Sequence, residues 1–506
     1  MSFARLVRSV TLMSLLIGLI GGAVASMSLP PFGFWPLGPL GIAMLLLACE
    51  EHHIGRRSLT GFMFGLGLFV PGLWWAQHFN WYGALVLMAI ESLFFAAAGA
   101  AMTPGRGRTL SAIGALTLAE LLRETWPLGG LPIGGLPLGQ TDGPLFDIAR
   151  VAGPLGLMLA IVVAGAGIRI LTTALAASGV GSRDAARRGA HSAALLGAVA
   201  LVAVVAALAP SGGHSLGTRS VAAVQGGGRR GTSAEQVDPA AVTRAHLTAT
   251  ATVPVGTQLT VLPEDVVGLP GPLEGSWQLN ALAREARRIS TTLLAGVTTP
   301  AGTTEFNNFV VALDQSGNII GTVEKVHRVP FGEYIPDRSL ISHLANITGV
   351  PRDAVVGRGH EVLSTPAGQI GVLISFEVFF SSRSSDVIAH GAQVLVVPTN
   401  TTSYPSAQMP SQELAAARLQ AIETGRDLVQ ASPTGYSAII NHNGDVVLRS
   451  ALSHQAVVLG HVELRSGLTP YDRFGDWPVV LLSLACLVAG QIRARQRVRD
   501  PQSSSS

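Results

Sequence analysis

The stretch GQIGVLISFEVFF, residues 368–380, contains the pattern that decides the fold of this chain. Its apolar run over 370–374 predicts a buried strand, and Ser375, Phe376 and Glu377 follow that strand directly. Many acyl-transfer enzymes place their nucleophile at the end of such a strand. The serine could instead cap a following helix, because serine is a favoured N-cap residue.

Further short apolar runs lie between residues 211 and 476 and alternate with helical stretches. Helices are predicted over 277–289 and 412–424, and Asn443-Gly444 predicts a hairpin turn. The predicted strands are 220–224, 258–262, 292–297, 308–313, 371–374, 394–397 and 437–440. This alternation predicts an α/β or α+β domain of roughly 250 residues.

The chain as a whole is far more apolar than an ordinary soluble protein of its size. Charged residues make up 13% of the 506 residues, and the mean hydropathy is +0.43. The net charge of +3 gives no indication of nucleic-acid binding. Both cysteines, Cys49 and Cys486, lie in apolar segments, so we expect neither a disulfide framework nor a cysteine metal site.

Eight apolar stretches predict membrane-spanning helices. Seven lie within the first 210 residues, each near the ~20 residues that span a bilayer, and a shorter one covers 477–490. Arg5 and Arg8 precede the first stretch, and further basic clusters follow the second, fourth, sixth and eighth stretches. These are Arg56 and Arg57; Arg106 and Arg108; Arg183, Arg187 and Arg188; and Arg493, Arg495, Arg497 and Arg499. By the positive-inside rule, both termini are predicted to be cytoplasmic and the central segment external.

These patterns divide the chain into four predicted regions. They are a membrane domain over 1–210, an external domain over 211–476, an eighth span over 477–492 and a basic cytoplasmic tail over 493–506. An alternative for the N-terminus is a signal peptide that is cleaved at the tripeptide AVA, residues 23–25. Cleavage there would leave the remaining topology unchanged.

Three chemically capable side chains follow predicted strands of the external domain. Glu264 ends the run TVLPE, Lys325 follows another strand with Glu333 eight residues later, and Ser375 ends the third. In such a trio a carboxylate takes the proton of the nucleophile, and an ammonium stabilises the developing oxyanion. Taken singly, a glutamate after a proline is more often a loop charge, Lys325 could form a solvated pair with Glu324, and Ser375 could be a cap. Their order and spacing together favour one site.

The motifs that contain these residues resemble the nitrilase superfamily. They are PE (263–264), KVHRVPFGEYIP (325–336) and GVLISFE (371–377). Eight spans that frame one external domain of this kind resemble the membrane branch of that superfamily, the apolipoprotein N-acyltransferases. The segments that also resemble this branch are 30–46, 61–75, 118–130 and 416–440.

This resemblance covers nearly the whole chain. It implies an α-helical polytopic membrane domain with eight spans and an extracytoplasmic α-β-β-α nitrilase-like domain, in the plasma membrane of a bacterium. It also implies an N-acyltransferase that takes an acyl chain from a phospholipid. The acceptor would be the α-amine of the diacylglyceryl-cysteine that begins a lipoprotein. No metal, cofactor or nucleic acid is implied.

Residue roles follow from the same resemblance. Glu264 would be the general base and Lys325 the oxyanion partner, while Glu333 would support the lysine. Position 375 would carry the acyl group, and Phe376 and Glu377 would support it, with Glu377 ordering the loop after the nucleophile.

The sequence departs from the family in three places. The nucleophile of the family is cysteine, whereas position 375 is serine. The segment VQGGGRRGTSAEQ (224–236) lacks an expected tryptophan, and PTNTTSYP (398–405) replaces a Ser-Asn-rich turn. A serine hydroxyl is much less acidic than a thiol, whose pKa is near ~8.5, and usually needs a stronger base. His327 is one candidate for that base.

Three interpretations of Ser375 follow. It could be a working nucleophile that forms an ester intermediate, or the protein could be a catalytically attenuated pseudoenzyme. The pseudoenzyme would bind lipid or lipoprotein, or scaffold another membrane enzyme such as a polyprenol-phosphate sugar transferase. A deliberate Cys-to-Ser substitution would explain neither the missing tryptophan nor the altered turn. The retained charges of Glu264, Lys325, Glu333 and Glu377 favour the enzyme.

Overall fold

The computed structural model describes residues 3–50, 53–177, 183–228, 238–344, 347, 349–359 and 362–499. The chain divides into two compact units, the first comprising residues 1–209 and 474–506 and the second residues 210–473. Most of the segment in which the tryptophan is missing, residues 229–237, lies outside the described residues.

The α-helices of the described residues match the apolar and helical patterns of the sequence. In chain order they are α1 (Phe3–Ser26), α2 (Leu37–Ala48), α3 (Ile54–Gly72), α4 (Trp81–Ala101), α5 (Arg108–Thr125), α6 (Ile148–Ala177), α7 (Arg183–Ala207), α8 (Pro239–Thr250), α9 (Trp277–Ile289), α10 (Arg338–Leu344), α11 (Ser381–Ala389), α12 (Gln408–Thr424), α13 (Pro470–Phe474) and α14 (Trp477–Arg499).

The first unit is built from α1–α7 and α14. All eight apolar stretches predicted from the sequence are therefore helical. By length and composition, α4, α6, α7 and α14 could cross a membrane, and shorter apolar helices cover Leu12–Ser26 and Leu37–Ala48. The helix α6 is interrupted just before Pro154, at Gly153, whose φ of 64° favours glycine. Eight spans remain a prediction.

Small residues allow close packing within this unit. A Cβ atom at Gly67 of α3 would lie 2.0 Å from the carbonyl oxygen of Leu19 on α1. One at Gly61 would lie 2.1 Å from the carbonyl oxygen of Phe95 on α4. Glycine at these two positions lets the three backbones approach, as is common between membrane helices.

A buried cluster of charges joins α4 and α5. The side chain of Arg123 is fully buried, 2.7 Å from Glu120 and 3.3 Å from Glu91. Its guanidinium also donates to the carbonyl oxygens of Leu131 and Ile133. Glu120 and Arg123 lie three residues apart on one helix face, and their pairing satisfies charges that an apolar environment would otherwise penalise.

The second unit contains two β-sheets. The strands are β1 (His214–Gln225), β2 (Leu259–Val261), β3 (Val267–Gly268), β4 (Thr292–Ala301), β5 (Glu305–Leu313), β6 (Ile319–Glu324), β7 (Asp353–Ala354), β8 (Val362–Thr365), β9 (Gly368–Val372), β10 (Val394–Pro398), β11 (Leu428–Ala431), β12 (Ala438–Ile440), β13 (Val446–Arg449) and β14 (Ala456–Ser466). One sheet has the order β14-β1-β2-β4-β5-β6, with β3 beside β4 and β7 beside β5. The other has the order β13-β12-β11-β10-β9-β8.

The two sheets pack face to face, and helices cover their outer faces. Val221 and Val261 of the first sheet share one apolar core with Ile370 and Val396 of the second. The alternate residues of β1 face α8 and α9, and α11 and α12 pack on the second sheet. The layers therefore run helix, sheet, sheet, helix, and central strands such as β2, β10 and β11 are buried on both of their faces.

The local predictions hold with small differences at their ends. The helix over 277–289 and the hairpin at Asn443-Gly444, which joins β12 to β13, are confirmed. The strand predicted over 370–374 ends at Val372 instead. The backbone amide of Ile374 donates to the carboxylate of Glu377, so this amide does not take part in the hydrogen bonds between strands.

Candidate active site

The predicted catalytic side chains stand just beyond the carboxyl ends of three strands. Glu264 follows β2, Lys325 follows β6 and Ser375 follows β9. The turn that presents Glu264 packs closely on β4, where a Cβ atom at Gly296 would lie 2.5 Å from the Glu264 Cα atom. Glycine at position 296 therefore allows the turn that carries the Glu264 carboxylate to approach β4 this closely.

Lys325 lies at the centre of the polar cluster. Its ammonium donates to Oε1 of Glu264 at 2.8 Å and to Oε1 of Glu333 at 2.7 Å, and its side chain is only 2% exposed. The amide of Asn308 donates to the same two oxygens, at 2.9 and 3.2 Å. The structure thus brings together Glu264, Lys325 and Glu333, which are distant in the sequence.

The electrostatics keep this lysine charged. Burial alone would lower the pKa of Lys325, but the adjacent carboxylates of Glu264 and Glu333 outweigh burial and raise it well above the ordinary value. Burial raises the pKa of Glu333, an effect that the lysine opposes. Lys325 can therefore serve as a fixed positive charge and hydrogen-bond donor, and it is a poor candidate for a base.

Ser375 occupies a strained turn. Its φ is +53°, in the left-handed region that non-glycine residues rarely adopt, and it begins a short 3₁₀ turn, Ser375–Phe379. The Thr399 hydroxyl donates to its Oγ atom at 3.3 Å. The alternative that this serine caps a helix is wrong, because the preceding residue, Ile374, occupies the N-cap position of this turn. A strained turn of this kind presents a side chain outward from the strand end.

Glu377 connects this turn to the loop that follows Lys325. Its fully buried carboxylate accepts hydrogen bonds from the backbone amides of Ile374 at 2.7 Å, Val326 at 2.7 Å and His327 at 3.1 Å. One side chain therefore fixes the backbone on both sides of the cluster. This contact set gives a physical basis for the ordering function predicted from the sequence.

Aromatic rings cover the turn. The ring of Phe376 packs against Phe379 and Phe380, with centroids 6.2 and 4.9 Å apart. His327 stacks on Phe380 at 4.4 Å, and burial lowers the pKa of this histidine. Among the hydrogen bonds of the described residues, the Ser375 Oγ atom is joined to Thr399, and neither His327 nor Glu264 is bonded to it.

Two polar residues of the site were not predicted from the sequence. Thr399, at the end of β10, contacts both the Ser375 Oγ atom and the buried Glu413 carboxyl on α12. The only sequence signal was the unusual turn at 398–405, which contains Thr399. Glu413 gave no signal, because a single carboxylate in a helix is ordinarily a solvated residue.

Comparison with known proteins agrees with this architecture. The family model described as the apolipoprotein N-acyltransferase N-terminal domain matches residues 21–167, and that of the carbon-nitrogen hydrolases matches 220–466. A carbon-nitrogen hydrolase of Helicobacter pylori with a solved structure is 14% identical, with a TM-score of 0.37 over 49% of this chain and 90% of its own. The second unit is a carbon-nitrogen hydrolase domain of the nitrilase type.

Full-length relatives define the family more closely. The apolipoprotein N-acyltransferase of Azotobacter vinelandii is 30% identical over 95% of each chain. Those of Methylococcus capsulatus and Photobacterium profundum are 28% and 26% identical, over 96% of this chain and 96% and 95% of their own. The chain belongs to the apolipoprotein N-acyltransferase family.

Proposed function

We propose that this protein is a lipoprotein N-acyltransferase whose acyl-enzyme intermediate is an ester of Ser375. It would move an acyl chain from a membrane phospholipid to the α-amine of the diacylglyceryl-cysteine of a lipoprotein. The observation that carries this proposal is the buried cluster of Glu264, Lys325 and Glu333, together with a strained serine that follows β9, in a chain that matches N-acyltransferases over nearly its full length.

The first half-reaction forms the ester. Glu264 accepts the Ser375 proton as Oγ attacks the ester carbonyl of the phospholipid, and Lys325 stabilises the oxyanion. The bond from the carbonyl carbon to the glycerol oxygen then breaks. The lysophospholipid leaves with the proton from Glu264, and the acyl group remains on Ser375.

The second half-reaction transfers the acyl group to the lipoprotein. The neutral α-amine of the acceptor attacks the ester carbonyl and passes one proton to Glu264. Collapse of the oxyanion breaks the bond between the acyl carbon and Ser375 Oγ, which recovers its proton from Glu264. Lys325, held by two carboxylates, donates to the oxyanion in both halves and does not titrate.

We further propose that the protein is a multi-pass protein of the bacterial plasma membrane with an extracytoplasmic catalytic domain and cytoplasmic termini. The alternating arginine clusters and the apolar helices of the first unit support this placement. The alternative of an attenuated protein that scaffolds another membrane enzyme is not favoured, because full-length relatives are named as acyltransferases.

The test is mass spectrometry of the N-terminal peptide of a lipoprotein. The host lacks its own N-acyltransferases. It carries the wild-type gene or the gene with Ser375→Ala, Ser375→Cys or Ser342→Ala. The last of these removes an exposed hydroxyl of α10 and is the matched control. We expect N-acylation with the wild type and the control and none with Ser375→Ala. Acylation that appears only with Ser375→Cys would show that the serine is not a working nucleophile.

A further inference from the structure

Thr399 and Ser375 occupy equivalent positions on neighbouring strands. The strands β9 and β10 are parallel, and Val372 pairs with Val396. Ser375 and Thr399 each lie three residues beyond that pair, so their side chains leave the sheet edge side by side. Thr399 is completely buried, and its hydroxyl lies 3.3 Å from the Ser375 Oγ atom.

The Thr399 hydroxyl has one proton but two close oxygen neighbours. Its oxygen is placed to donate either to Oε1 of Glu413 or to Oγ of Ser375. Since a hydroxyl donates only one strong hydrogen bond, both contacts are satisfied when Glu413 is protonated and donates to Thr399.

The surroundings of Glu413 favour the protonated form. Its side chain is buried, and among the described residues its Oε2 atom has no hydrogen-bond partner. An ionised carboxylate with an unpaired buried oxygen is costly. Burial raises the pKa of Glu413 to about 8; the Glu264 charge adds to this, while Thr399 and Lys325 oppose it.

We propose that Glu413 and Thr399 form a hydrogen-bond donor chain that stabilises negative charge on the Ser375 Oγ atom. The carboxyl O–H of Glu413 donates to Thr399, whose O–H donates to Ser375, while the Ser375 proton leaves to Glu264. Neither Glu413 nor Thr399 gives up its proton. Thr399 is a catalytic residue because it touches the reacting oxygen, and Glu413 is a positioning residue that acts through it.

This chain supplies what a serine nucleophile lacks. A thiol ionises near ~8.5 and needs little help, whereas a hydroxyl is far less acidic, so a donor aimed at the developing alkoxide lowers the barrier to attack. The inference rests on the proposed function, because it takes Ser375 as the nucleophile. It adds the reason why serine can work in a site of this kind.

The experiment compares Thr399→Val in two backgrounds. The full-length protein in detergent is mixed with the p-nitrophenyl ester of a long-chain fatty acid, and the burst of nitrophenolate gives the rate of acyl-enzyme formation. We expect Thr399→Val to slow the burst at least about tenfold when residue 375 is serine. In Ser375→Cys the same change should cost less than about threefold, because the thiol does not need the donor.

The outcomes separate this inference from the proposed function. Equal losses in the serine and cysteine backgrounds would mean that Thr399 is only structural, and would overturn the donor chain alone. A wild-type protein that gives no burst and no lipoprotein acylation would overturn both. Thr399→Ser, which keeps the hydroxyl, should recover most of the rate lost in Thr399→Val.

A second pair of variants tests the direction of the chain. Glu413→Gln keeps a donor for Thr399 and should lose much less of the burst rate than Glu413→Leu, which keeps none. Equal losses in both would mean that the ionised carboxylate is needed, and would overturn the proposal. Gln420→Leu, a buried polar change two turns along α12, is the matched control for packing. Thermal unfolding of each variant establishes that it folds.

Discussion

Lys325 is the only lysine among the 34 lysine and arginine residues of the chain. The other 33 are arginine, so position 325 is the exception. The structure supplies the reason, since a compact ammonium lies between two carboxylate oxygens at 2.8 and 2.7 Å in a buried site. A planar guanidinium is larger and holds its donors in a fixed fork.

We therefore expect Lys325→Arg to lower the acyl-transfer rate by about 100-fold or more, although the charge is kept. The burst assay and lipoprotein mass spectrometry both measure this loss. Arg287→Lys, the reverse exchange at an exposed residue that bonds only Ser316 among the described contacts, is the control and should change nothing. If Lys325→Arg kept more than half of the rate, positive charge alone would be sufficient.

The protonation state of Glu413 has a consequence for stability. Its pKa in the folded protein, about 8, lies above the ordinary value of 4.5. A carboxyl group whose pKa is higher in the folded protein than in the unfolded chain stabilises the fold fully at a pH below the unfolded-state pKa. This stabilisation is lost as the pH rises through the folded-state pKa. From about pH 4.5 to about pH 8, the wild type should lose on the order of 4 kcal/mol relative to Glu413→Gln.

Thermal unfolding of both proteins across that range measures the difference. Groups that both proteins share titrate alike in the two and cancel in the comparison. A difference between the two proteins that stays constant from about pH 5 to about pH 8 would mean that Glu413 does not titrate there.

At the scale of elements, Glu377 is the side chain on which the geometry of the site depends most. In Glu377→Gln, an NH₂ group takes the place of one carboxylate oxygen. That NH₂ group cannot accept the hydrogen bonds of the backbone N–H groups that face it. We expect a loss of about 1–3 kcal/mol in the free energy of unfolding and a slower burst. Glu463→Gln, a partly exposed carboxylate on β14, is the control and should cost less than about 1 kcal/mol. Similar losses in both would contradict the ordering function of Glu377.

How far the sequence predicts these elements depends on the range of the interactions. Local patterns identified α9 and the hairpin at Asn443-Gly444, because their periodicity and turn residues lie within a few positions. The contact between Glu264 and Lys325 agrees with the prediction from their order at strand ends, and the inclusion of Ser375 in the same site remains a prediction. Thr399 and Glu413 could not be predicted, because their contact depends on how β10 and α12 pack, which no local pattern records.

At the scale of the whole molecule, charge is distributed in a way that a bilayer would require. Within the first unit, the charges buried at the helix interface include Arg123, Glu120 and Glu91, and they pair with one another. The arginine clusters fall instead beside the ends of the apolar stretches, and the loop over 77–82 carries no lysine or arginine. This asymmetry predicts which loops stay in the cytoplasm.

Fusions to alkaline phosphatase test that topology. The enzyme folds only where its disulfides form, outside the cytoplasm. We expect fusions after residues 78 and 210 to be active and fusions after residues 53 and 106, next to arginine clusters, to be inactive. A fluorescent protein that folds only in the cytoplasm, fused at the same four positions, should give the opposite pattern and controls for expression.

Phosphatase activity after residue 106 would place that loop outside and contradict the proposed orientation. Inactivity after residue 210 would put the catalytic domain on the cytoplasmic side, away from the lipoproteins that it is proposed to acylate.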